Sequence, residues 1–349
     1  MIKKISKNLV KIFKSNLDIK KLYLHEPDIS IKEINNLKKC ILDNNVSSTG
    51  VFIKKFENEI KKLTKAKHVV TTNSGTSALH ISCILMNVKR NDEVLIPALT
   101  FVATANAVRY CGATPHFVDI DEKNFGIDVD KLERYLIKIT KIKNDHLINR
   151  LTGRKIKAII PVHVFGHPAD VFKLKKLAKK FKLSIIEDAA DALGSFFEKK
   201  HVGLFGKLGV LSFNGNKPIT SGAGGAIITN NRLLAKKSKH LIATAKITHQ
   251  YNYIHDQVGY NYRMPNLNAC LGLAQIKKLD KFLYQKKILY NLYRKEFKNS
   301  KFFTFMENPI NNISNNWLNT VYLNESYSNY LDRVIFEING KGIGCRPIW

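Results

Sequence analysis

The chain has 349 residues, with 57 Lys or Arg against 28 Asp or Glu, a formal net charge of +29. That length can hold one large domain and a smaller one, and 44% hydrophobic with 24% charged residues excludes a disordered or fibrous chain. No apolar run is long enough to span a bilayer. The excess lysine is spread evenly without aromatic interleaving, which argues against nucleic-acid binding as the main task. Cys40, Cys83, Cys111, Cys270 and Cys345 show neither metal nor redox spacing and read as free thiols of a cytoplasmic protein.

Residues 1–23 place Ile2, Ile5, Leu9, Ile12 and Phe13 at helical spacing with lysines between them. Lys11 and Lys14 interrupt any signal-peptide core. The expectation is a helix packed on its own chain or a partner rather than on a membrane. Residues 30–44 form a second helix, with Ser30 as N-cap and Glu33 completing a capping box. A polar turn over 46–51 leads to a helix over 52–64 with Phe52, Phe56, Ile60 and Leu63 on one face.

Thr71 to His80 reads as a strand end, a turn and a helix start, whose backbone N–H groups and hydroxyls suit a phosphate. Strand and helix patterns then alternate through 93–96, 101–110, 114–118, 130–138, 157–161, 171–181 and 184–187, which argues a mostly parallel sheet covered by helices. The basic stretch 141–155 is expected to be an exposed loop. His163 and His167 flank Gly166, but no carboxylate or cysteine spacing supports a metal there, and none is expected.

Two stretches carry the chemistry. Leu183 to Glu187 is a buried strand with Asp188 at its carboxyl end, where α/β sheets place ligands. Val210 to Ser212 is another, and it breaks into a polar turn containing Lys217 before Gly222-Ala223-Gly224-Gly225 and a strand over 226–229. Burial disfavours a charged amine, and a neutral amine is what condenses with a carbonyl. Ala223 stands among glycines, and alanine disfavours positive φ, so an altered turn is expected there. From Asn266 a helical pattern runs to about 298, followed by short mixed elements. The division that results is an N-terminal helix and arm (1–29), a large domain (30–250) and a small C-terminal domain (251–349).

An early anion-binding turn, a carboxylate and a late lysine are the parts of a pyridoxal phosphate (PLP) site. The sequence resembles the DegT/DnrJ/EryC1/StrS family of sugar aminotransferases, and within it the branch making 4-amino sugars of the legionaminic acid or bacillosamine type. The resemblance rests on Leu24-His25-Glu26-Pro27, Val46-Ser47-Ser48-Thr49-Gly50, Asn73-Ser74-Gly75-Thr76-Ser77-Ala78-Leu79, Pro97-Ala98-Leu99-Thr100-Phe101-Val102-Ala103-Thr104, Glu187-Asp188-Ala189-Ala190, Ser212-Phe213-Asn214-Gly215-Asn216-Lys217 and Gly259-Tyr260-Asn261-Tyr262-Arg263-Met264. These stand in family order across nearly the whole chain.

The resemblance implies an α/β protein of PLP fold type I, like aspartate aminotransferase. Its large domain would hold a mostly parallel mixed sheet, and its smaller C-terminal domain would be α+β. It implies Lys217 as the cofactor-linked lysine and proton carrier, and Asp188 at the pyridine nitrogen with Asp191 nearby. Phe101 would cover the ring. Gly75, Thr76 and Ser212 would take the phosphate, joined by Asn261 from the neighbouring subunit of a homodimer. The substrates implied are an amino-acid donor, glutamate, and a nucleotide-diphosphate 4-keto-6-deoxy sugar, an anion that a positive protein field attracts. Relatives continue beyond Arg346-Pro347-Ile348-Trp349 while this sequence stops there. A silent relative with a regulatory or assembly role is therefore the alternative expectation.

Overall fold

The computed structural model describes residues 1–14, 22–309 and 312–349; residues 15–21, within the expected N-terminal segment, lie outside them. The helices are α1 (Ile2–Lys14), α2 (Ile31–Leu42), α3 (Val51–Thr64), α4 (Gly75–Leu85), α5 (Val102–Tyr110), α6 (Val129–Ile139), α7 (Val171–Lys180), α8 (Arg232–Ile242), α9 (Asn266–Ile276), α10 (Leu279–Phe297) and α11 (Leu331–Gly340). The central sheet is built from β1 (His68–Thr72), β2 (Glu93–Pro97), β3 (Thr114–Val118), β4 (Ile156–Ile159), β5 (Ser184–Asp188), β6 (Leu208–Ser212) and β7 (Gly225–Thr229). Their spatial order is β1-β7-β6-β5-β4-β2-β3.

Only β7 runs against its neighbours, pairing antiparallel with β1 and β6, while the pairs β6–β5, β5–β4, β4–β2 and β2–β3 are parallel. The strands read as continuous apolar runs because both faces are covered. Val69, Leu211 and Ile228 pack on one face with Phe56 and Ile60 of α3 and Leu273 of α9. Val70, Val210 and Ile227 pack on the other with Leu79 and Ile81 of α4 and Leu241 of α8. Further along, α6 and α7 cover Leu95, Ile159 and Ile185.

Parallel pairing has one consequence that matters for the site. The carboxyl ends of β1, β5 and β6 fall on one edge, and the reversed β7 brings its first residue, Gly225, there as well. Gly225 lies opposite both Thr72 and Ser212.

The apolar face of α1 is used within its own chain. Ile5, Leu9 and Ile12 are buried among Tyr290, Phe297, Phe303, Phe305, Val334 and Ile338, from α10, α11 and the strand Phe303–Phe305. That packing removes the apolar surface a membrane-lying helix needs. Among the described residues no helix is long and apolar enough to cross a membrane.

Two expectations are corrected and one, the helical stretch from Asn266, holds in finer detail. Residues 141–155 are not a plain loop: strands Thr140–Lys143 and His146–Asn149 make a hairpin. Its turn residues Asn144 and Asp145 both take positive φ, at 47° and 62°, as a two-residue hairpin turn demands. Exposed lysines hid the alternation, while Leu147 and Asn149 are buried. The helical pattern beyond Asn266 divides into α9 and α10 at Lys277 and Lys278. The turn at Gly222 is undistorted, since Gly222 takes φ 77° and Ala223 is not among the positive-φ residues.

Glu33 ties α2 to the α9–α10 junction. Its carboxylate accepts from the Ser30 N–H (2.8 Å) and hydroxyl (2.6 Å), from Gln275 Nε2 (2.8 Å) and from Lys278 Nζ (2.8 Å). Burial alone would raise this carboxyl, but the Lys278, Ser30 and Gln275 donors outweigh it and hold it at about 2, below the ordinary 4.5. Because the folded value is depressed, the stabilisation is fully present above about pH 4.5 and is lost as pH falls toward 2. Glu33→Ala should cost about 1–3 kcal/mol in denaturant unfolding at pH 7, since it removes the acceptor shared by Ser30, Gln275 and Lys278. The gap from wild type should narrow at pH 3; an equal gap at both values would show that the carboxylate charge is not what matters.

Candidate active site

Asp188 closes β5. Its C=O accepts from the His163 N–H (3.0 Å) and its N–H donates to Pro161 (2.9 Å), so its backbone is locked beside β4. The side chain is buried, with Oδ2 accepting from Thr104 Oγ1 (2.7 Å) and Oδ1 from the Ala190 N–H (3.1 Å). Burial pushes this carboxyl up and the Asp191 charge adds to that, while Thr104, Ala190 and Lys217 oppose it. A buried carboxylate with each oxygen anchored suits a fixed cationic partner.

Lys217 sits in the turn after β6, its N–H donating to the Asn214 C=O (3.0 Å). Its Nζ is ion-paired with Asp191 Oδ1, whose second oxygen accepts from the Phe165 N–H (3.3 Å). The same Nζ lies 4.5 Å from the ring centroid of Trp317. The expectation of a simply desolvated amine is therefore incomplete: a carboxylate and an indole face both attract it as a cation. Trp317 in turn donates its indole N–H to the Asn216 C=O (2.7 Å). Asn315 donates to the Asp191 and Leu193 carbonyls (2.8 and 2.9 Å), so residues 315–317 brace both partners of the pair.

The anion-binding turn is built by close approach. Ser74 caps α4, its Oγ accepting from the Ser77 N–H (3.0 Å). Gly75 begins the helix, and a Cβ there would stand 2.9 Å from the Ser212 Cβ. A Cβ at Gly225 would stand 2.6 Å from the Gly75 nitrogen. No side chain fits between these backbones. The first-turn N–H groups of Gly75 and Thr76 have no intrahelical acceptor, which leaves them for an anion.

Phe101 precedes α5 with 51% of its surface exposed, and Trp349 is its ring neighbour at 5.7 Å. Asn261 is exposed on a loop tied to the Ser74 turn, with Asn73 N–H donating to Tyr262 C=O (2.8 Å) and Asn73 Nδ2 to Asn261 C=O (3.5 Å). His163 is taken up inside the protein: its Nε2 lies 3.1 Å from Glu187 and its Nδ1 accepts from the Ala169 N–H (3.1 Å). Among the described residues no group of three His, Cys, Asp or Glu could hold a metal.

Thus Asp188, Asp191 and Lys217 come together, as do Gly75 and Ser212. The sequence reading missed Thr104, Asn315 and Trp317. Thr104 lies one helical turn past Phe101, so its spacing was a usable signal. Trp317, one of two tryptophans, lies 100 residues from the lysine it faces, and no local pattern links them.

The model of the DegT/DnrJ/EryC1/StrS aminotransferase family matches residues 27–349. The chain belongs to this family. It is 37% identical to GDP-perosamine synthase of Escherichia coli O157:H7 over 277 residues, 79% of this chain and 71% of that one. It is 35% identical to the UDP-4-amino-4,6-dideoxy-N-acetyl-beta-L-altrosamine transaminase of Campylobacter jejuni, over 81% of this chain and 71% of that one. The solved structure of Helicobacter pylori PseC, an aminotransferase of pseudoaminic acid biosynthesis, superposes with a TM-score of 0.84 at 26% identity, covering 95% of this chain and 85% of that one. The fold is PLP fold type I, and the cofactor of this aminotransferase is PLP. The anchored carboxylate of Asp188, the amine of Lys217 and the cradle at Gly75 fit that cofactor's pyridinium, aldehyde and phosphate.

Proposed function

We propose that this aminotransferase moves the amino group of glutamate to the 4-keto group of a nucleotide-linked 6-deoxy sugar, in the making of a surface polysaccharide or other glycan. The observation that carries the reading is the convergence of Lys217, Asp191 and Asp188 on the sheet edge where α4 presents its open N-terminus. The sugar is supported by the relatives, whose names are those of nucleotide-sugar enzymes. The net charge of +29 gives a field that draws anionic substrates.

In this reading Gly75 and Thr76 N–H groups and the Ser212 hydroxyl hold the PLP phosphate, Phe101 covers the ring and Asp188 holds the pyridine nitrogen protonated. Bound PLP supplies the electron sink that lets a proton leave the substrate carbon next to nitrogen. Lys217 would hold the cofactor through its Nζ, and the same Nζ would carry that proton. Asp191 and Trp317 limit where the amine can swing. The free thiols fit a reducing compartment, and we place the enzyme in the cytoplasm.

The test is the reaction itself. PLP-loaded protein with glutamate and a GDP- or UDP-linked 4-keto-6-deoxy sugar should give 2-oxoglutarate and amino sugar in equal amounts. Asp188→Asn should still bind PLP while turnover falls about 100-fold or more. Cofactor loading with no amino sugar from either nucleotide would rule out the substrate assignment, and near-normal turnover in the variant would make Asp188 merely structural.

We further propose a homodimer in which Asn261 reaches the neighbour's phosphate, supported by a polar, tyrosine-rich exposed loop. Mixing Lys217→Ala chains with inactive Asn261→Ala chains should restore activity after subunit exchange, because one site of each mixed dimer regains both groups. No recovery in exchanged dimers would return Asn261 to its own chain's surface.

A further inference from the structure

Beside Lys217 opens a cavity of about 700 Å³, walled by the arm that carries His25 and Glu26, by α10, by Trp317 and by the final residues. A second lysine, Lys286 of α10, lines it. Its Nζ donates to the Trp317 C=O at 3.0 Å, which uses one of three N–H donors. Among the described residues no acidic side chain forms an ion pair with it. The contrast with its neighbours is direct: Lys217 has Asp191 and Lys278 has Glu33. Burial pushes the Lys286 amine down to about 8, with no carboxylate raising it.

His25 supplies no counter-charge. Burial holds its imidazole at about 4, helped by the charges of Lys286 and Lys217, so it is neutral. Its Nδ1 is buried and has no hydrogen-bond partner among the described residues, and its ring lies edge-on to Trp317 at 6.4 Å. A sequestered cation without an anion and a buried imidazole nitrogen without a partner both carry a desolvation cost that a bound anionic group would offset. They border the same space as the reactive amine, which is the pattern of a binding site rather than of a structural ion pair.

We propose that Lys286, with His25 beside it, binds an anionic oxygen group of the substrate positioned at Lys217. The inference rests on the aminotransferase reading for the identity of that substrate. Both substrates carry such a group: the amino acid its carboxylates, the nucleotide sugar its diphosphate. The chemistry required of the ligand is the same, a localised negative charge on oxygens that accept N–H donors. Lys286 is a binding and specificity residue, separate from proton transfer at Lys217.

The test is calorimetric titration of the full chain, before and after PLP loading, with 2-oxoglutarate and separately with GDP and UDP. Lys286→Met keeps the apolar stem and removes the charge, whereas Lys286→Arg keeps the charge. Lys286→Met should weaken one anion class about tenfold or more, and Lys286→Arg should restore most of the affinity. PLP loading and melting temperature should match wild type in both variants. Loss confined to 2-oxoglutarate assigns the residue to the donor carboxylate, and loss confined to GDP or UDP assigns it to the diphosphate. Unchanged affinity for every probe in Lys286→Met, or equal loss in Lys286→Arg, would overturn the proposal. A chain that never loads PLP yet shows anion binding dependent on Lys286 would instead contradict the function proposed above.

Discussion

The ion pair between Lys217 and Asp191, held against the face of Trp317, is the contact that the remainder of the site depends on. A lysine side chain has four rotatable bonds, and fixing its amine costs entropy that local sequence cannot offset. Three distant segments share the work. β5 and β6 pair in parallel, so the Asp188–Asp191 turn and the Lys217 turn emerge side by side. Residues 315–317 then return from the C-terminal region, and their hydrogen bonds to Asn216, Asp191 and Leu193 close the arrangement. The reversed β7 completes it by pressing Gly225 against Gly75, an approach so close that no side chain fits between the two backbones.

Much of this was legible in the sequence, for definite physical reasons. Strands covered on both faces must be uninterruptedly apolar, so β5, β6 and β7 announce themselves, and the polar residues that end them stand out as Asp188 and Lys217. Ser30 and Glu33 likewise mark a helix start by spacing alone. What stayed hidden depends on contacts between remote residues or on backbone signs that side chains mask. Asp191 had no visible partner until the fold placed Lys217 beside it. Trp317 carries no local signal that links it to a lysine. The hairpin at 140–149 was obscured by lysines on its exposed positions, although Asn144-Asp145 was a turn signal of the right kind. The glycine-rich turn misled in the opposite direction, because the positive φ values fall on Gly222 and Gly224 and spare Ala223.

The large positive charge divides into two populations. Most lysines are exposed, and pairs such as Lys131–Asp119, Lys173–Asp130 and Lys180–Glu133 lie at the surface, where solvent screening leaves them little stabilising value. Their role is collective, as a field that favours anions. The sequestered lysines behave differently. Lys217 and Lys278 each have a carboxylate, and Glu33 serves both a helix cap and a tertiary link. Among the described residues Lys286 has only a backbone carbonyl as partner, which sets it apart from these two.

The amine held by Asp191 and Trp317 is the one proposed to take the cofactor. The most direct measurement is borohydride reduction of the PLP-loaded chain, followed by peptide mass mapping. A single pyridoxyl adduct is expected, on Lys217, and none when Lys217→Ala is treated in the same way. An adduct on Lys286 or any other lysine in the wild-type chain, or an undiminished adduct in Lys217→Ala, would contradict it.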